Sequence, residues 1–149
     1  MGVTPADWYA GQQDILAHMN ADPTLQHAPI MEGFVADTYD VPLVGTTIAP
    51  HVLVNFMGTT ESKDGQHITG AAYDSETGQF TVYAVAGDPD TARQLAQRVR
   101  TCLIGFEPVG CGEIGRAFFA GIGKVSSTRT PMRYSADQAF RVLVNSTLS

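Results

Sequence analysis

The sequence predicts an α+β fold: a mixed, mainly antiparallel β-sheet packed with two principal α-helices. Three observations carry this expectation. Residues 88–105 have the cap, apolar stripe and stop of an amphipathic helix; residues 51–57 and 79–86 have strand chemistry; and residues 133–145 alternate as one long strand. With 149 residues, 44% apolar and 16% charged, the chain has the size of one domain, 1–149, and enough apolar material for a core. Its 15 glycines and 8 prolines predict substantial loops around those elements.

Taken in order, Thr4, Pro5 and Asp7 read as an N-cap, an N1 proline and an acidic N3 residue. The helix they open runs to Asn20 and places Trp8, Ile15, Leu16 and Met19 near one face, with Gly11 inside it. Residues 21–50 contain Pro23, Pro29, Pro42 and Pro50 among short apolar pieces, which predicts irregular wrapping or a short strand. From His51, the residues Val52, Val54 and Phe56 alternate with Leu53, Asn55 and Met57, so both faces of this strand are fairly apolar, as in a sheet covered on both sides. Residues 57–66 read as a polar connection, and residues 67–73, 74–78 and 79–86 as strand, tight turn and strand.

The second helix has the clearest grammar. Asp88 and Pro89 supply the cap and first position, and Gly105 suits the stop. Ala92, Leu95, Ala96, Val99, Cys102 and Leu103 recur at the three-and-four spacing of one face. Beyond it, Gly110, Gly112 and Gly115 mark a turn, and residues 116–125 read as a strand-like segment broken by glycines. In the last strand Phe140, Val142 and Val144 face the core, while Arg133 and Asp137 share the more polar parity. The predicted order is helix, strand, hairpin, helix, strand, strand.

Charge and cysteine usage narrow the function classes. Fifteen acidic residues against nine basic ones give a formal charge of −6, so whole-molecule attraction to a phosphate backbone is absent, although a local basic patch remains open. The N-terminus lacks the basic segment and apolar run of a signal peptide, no apolar run approaches a membrane span, and Ala6 breaks the myristoylation pattern. A soluble protein made in a cytoplasm is expected, without a membrane partner. Cys102 falls on the apolar helix face as a small buried thiol, and no structural disulfide is expected.

Candidate chemistry is sparse. His18, His27, His51 and His67 show no metal-ligand spacing and the cysteines no metal-binding pair, so neither a metal nor a cofactor is expected. Gly110, Gly112 and Gly115 fit GxGxxG, but a helix precedes them and a strand-like segment follows, the reverse of a dinucleotide fingerprint. Cys111 is the one thiol in a plausible loop for nucleophilic work, and no serine sits in a GxSxG setting. Arg93, Arg98 and Arg100 lie off the apolar stripe of the second helix: a solvated face is their plain explanation, a protein interface the functional one, with nucleic acid behind both.

The run Pro50-His-Val-Leu-Val, the strand Val82-Tyr-Ala-Val-Ala-Gly-Asp, the helix Ala92-Arg-Gln-Leu-Ala-Gln-Arg-Val-Arg-Thr-Cys-Leu and the terminal Arg133-Tyr-Ser-Ala-Asp-Gln-Ala-Phe-Arg-Val together resemble the tail terminator family of long non-contractile-tailed bacteriophages. These are also called tail completion or head-tail joining proteins. The resemblance covers about residues 4–144 as an order of elements; the irregular 21–50 segment departs from the most compact members. It implies a non-enzymatic virion protein whose homo-hexameric ring caps the head-proximal end of the tail tube, ends tube polymerisation and joins the tail to the head connector or stopper protein. DNA would pass through the lumen without specific binding, which suits an acidic chain. A neighbouring neck, stopper or tail-tube protein shares the implied fold. On this reading the contact residues are Glu61, Lys63 and Asp64 in the polar loop and Arg93, Arg98 and Arg100 on the helix. The readings from other classes are a small cytoplasmic α/β enzyme or ligand-binding domain using Cys111 and a histidine, and a regulatory nucleic-acid binder with salt-dependent affinity.

Overall fold

The computed structural model describes residues 3–4, 7–33, 41–61, 75–116, 125–129, 132–145 and 147–148. Strand β1 (Val3–Thr4) leads into helix α1 (Trp8–Ala21), a 3-10 turn over Pro23–Leu25, and the short strands β2 (Ile30–Glu32), β3 (Leu43–Val44) and β4 (Thr47–Ile48). The long strands β5 (His51–Glu61) and β6 (Ser75–Ala86) precede helix α2 (Pro89–Leu103). Strands β7 (Gly115–Arg116), β8 (Val125–Arg129), β9 (Met132–Asn145) and β10 (Thr147–Leu148) complete the order. The main sheet runs β2-β5-β6-β9, with β7 and β8 both pairing β9; all its pairings are antiparallel except β2 with β5. This is the α+β class predicted, with the two expected helices.

Local chemistry explains both helix starts, and corrects one of them. Asp88 caps α2 as expected, its Oδ1 accepting from Thr91 N–H at 2.8 Å with Pro89 at the first position. In α1 the cap is Asp7, whose carboxylate accepts from Ala10 N–H at 3.0 Å, so the helix opens at Trp8. Thr4 is not that cap, because its backbone pairs in β1 with Thr147. Of the segment 21–50, residues 21–33 and 41–50 are described, and there the chain is irregular apart from the 3-10 turn and short strands, with β2 against β5.

One face of the sheet carries the core. Register puts Val52, Ala84 and Ala136 in one row, Val54, Val82 and Gln138 in the next, and Phe56, Phe80 and Phe140 in a third. The three phenylalanine rings follow one another at centroid distances of 5.5 and 5.3 Å. Helix α2 lays Ala92, Leu95, Ala96, Val99, Cys102 and Leu103 on β6 and β9, all buried, and the buried Gln138 donates to the Ala96 carbonyl at 2.7 Å. Leu95→Ala is expected to cost ~2–5 kcal/mol of stability, measured as a fall in the denaturant midpoint; a change under ~0.5 kcal/mol would show that this stripe is not the packed face. Helix α1 adds Trp8, Ile15 and Met19, and at Gly11 the bare Cα leaves space for the Cys111 thiol.

The hairpin expected over residues 67–86 differs in detail. β5 continues through Glu61, and Glu76, Thr77 and Gly78 pair with Glu61, Thr60 and Thr59 as strand, although 74–78 read as a turn. Long-range pairing across three strands overrides the turn preference of that polar run. The predicted strand at 67–73 lies outside the described residues, as does most of 116–125, within which β7 and β8 supply the two ends.

The second face of the sheet is buried at one end only. His51, Leu53, Val85, Arg133 and Ser135 are buried there, whereas Arg141 and Leu143 at the other end are exposed. Burial on both faces of β5 matches its two apolar parities. Arg133 does not match its polar reading: it is fully buried, on the face opposite the helices. The sequence alternation assigned it to the right face, and the packing at that end of the sheet removes it from water.

Candidate interaction surfaces

Of the six residues expected at an interface, the three arginines are described in full. Arg93 and Arg98 are exposed and Arg100 is half-buried on α2. At about 100° per residue, Arg93 and Arg100 stand on one shoulder of the helix while Arg98 stands about 140° from Arg93 on the other. They form no single cationic patch. Arg93 further lies 3.7 Å from Asp90, with both side chains largely in water, and between the shoulders Gln94, Gln97 and Thr101 present uncharged polar groups. Gln94 donates to Asp90 at 2.9 Å. This geometry suits weak, separable contacts rather than a phosphate clamp.

The loop trio divides differently. Glu61 is the last residue of β5 and pairs with Glu76, so its backbone belongs to the sheet and not to a loop; Lys63 and Asp64 lie outside the described residues.

Sequence reasoning missed a groove beside β5. It is open, with a volume of about 510 Å³, and is lined by Gln12, Glu32, Gly33, Asn55, Phe56 and Met57 among others. The carbonyl of Met57, one of the lining residues, accepts from Trp8 Nε1–H at 2.7 Å. That carbonyl is turned toward the indole where the β5–β6 register shifts between Phe56 and Thr59. The Asn55-Phe-Met-Gly58 run lay within a predicted strand end and loop, and β2 stops opposite Val54, so that among the described residues no strand pairs with this run on that side.

Both thiols and the imidazoles of His18 and His51 have structural settings, while His27 is exposed. Burial and the adjacent Asp22 carboxylate push the Cys102 thiol up to about 12. Burial, with Asp14 and Asp7 nearby, also raises Cys111, whose Sγ donates to the Val109 carbonyl at 3.5 Å. A nucleophilic cysteine needs the opposite shift. His18 Nε2–H donates to the Cys102 carbonyl at 2.9 Å while its ring stacks on Phe106 at 3.8 Å, fixing α1 to the end of α2. His51 is buried, its Nδ1–H donating to the Ala49 carbonyl at 2.8 Å. His67 lies outside the described residues. Cys111→Ser is therefore expected to leave biological activity intact; loss of activity with unchanged folding would reinstate the enzyme reading.

Among the described residues, no group of three or more His, Cys, Asp or Glu side chains is gathered as for a metal, and no helix is long and apolar enough to cross a membrane. No family model matches the sequence, and no curated protein matches it. The fold does have counterparts. A chain in the virion of a native gene transfer agent particle is similar over 93% of this chain and 96% of its own length, with a TM-score of 0.58 and 17% sequence identity. At that identity the likeness establishes a shared fold across nearly the whole chain.

Proposed function

We propose that this protein is a non-catalytic virion component, a tail terminator whose ring of six copies caps the head-proximal end of the tail tube and presents its other face to the head connector or stopper. The observation that carries the reading is the end-to-end likeness to a chain of a virion particle, with neither chain leaving a large part uncovered. It agrees with the order of elements in which the sequence resembles that family. The surfaces support it too: a sheet whose outer strands β2 and β8 have no further strand beside them among the described residues, separated arginine shoulders on α2 and an acidic balance suit heterologous protein contacts around a lumen through which DNA slides.

The deciding experiment is sedimentation of the purified protein over a wide concentration range, alone and with tail-tube ends. Six-copy rings, or monomers that bind only those ends and stop tube growth, are expected. A symmetric dimer indifferent to tubes would sink the reading, and insertion along the tube rather than at its end would favour a tail-tube protein. Arg98→Glu is expected to change stability by no more than ~0.5 kcal/mol while impairing head-tail joining; normal particle yield removes this shoulder of α2 from the contact.

A further inference from the structure

We draw no further inference here: the strongest candidate, the open groove along residues 55–58 of β5 where β2 stops opposite Val54, is an unpartnered strand edge, and nothing in the structure shows what covers it.

Discussion

Trp8→Ala is expected to lower the free energy of unfolding by roughly 3–5 kcal/mol, the range for truncating a large aromatic in a packed interior. The indole is 8% exposed, meets Phe56 edge-on at 5.9 Å and Phe80 at 6.4 Å, and donates its Nε1–H to the Met57 carbonyl. Removing it therefore empties a volume, strips two aromatic contacts and takes away the partner of a carbonyl turned out of the ladder by the register shift. Gly78 is the mould for this ring: a Cβ there would lie 2.9 Å from Trp8 Cε2 and Cζ2, closer than carbon atoms pack. Gly78→Ala is accordingly expected to cost about 1–3 kcal/mol by overpacking. In a Trp8→Ala background the same change should be close to neutral, because the atoms it strikes are gone. Denaturant unfolding of the four proteins in this cycle measures the coupling. A Gly78→Ala penalty that persists without the indole would mean that the strand, not the ring, demands glycine.

These residues also show how far the sequence could be read. Helix α2 was legible almost to the residue because cap, stripe and stop are all local signals: Asp88 accepts from Thr91, six apolar positions share one face, and Gly105 follows the helix at φ +88°. The start of α1 was misplaced because two acceptable caps compete there, and Thr4 is claimed by pairing with Thr147, far along the chain. The same distance explains Glu76, Thr77 and Gly78, turn-like in composition yet held in β6 between β5 and β9. For the interaction surfaces, the exposure of Arg93 and Arg98 followed from helical spacing, whereas Arg100, placed off the stripe in the same way, is half-buried, and the three arginines, read as one face, stand on two shoulders of α2. The groove beside β5 was not legible, since it depends on where β2 stops and where the β5–β6 register slips.

Arg133 marks the other limit of alternation, and it carries the second large effect. Arg133→Ala is expected to destabilise by roughly 3–5 kcal/mol, as for other large-to-small changes in an interior, because the whole side chain, apolar stem included, is buried. Arg133→Met keeps most of the stem and separates packing from charge. The charge has its own readout through His51, which burial foremost, and the positive charge of Arg133, hold below its ordinary pKa. The native state thus keeps this imidazole neutral at a pH where the unfolded chain protonates it. Stability is complete above about pH 6.5 and is lost as pH falls from there through the folded pKa, with a slope limited to about 1.4 kcal/mol per pH unit for one group. Removing the guanidinium brings the folded pKa of His51 nearer the unfolded one, so Arg133→Met should flatten this part of the acid limb whatever it does to stability at neutral pH. Unfolding free energies measured between pH 5 and 8 for wild type, Arg133→Met and His51→Asn test the coupling. An acid limb unchanged by both substitutions would assign the titration to other groups and leave Arg133 with a packing role alone.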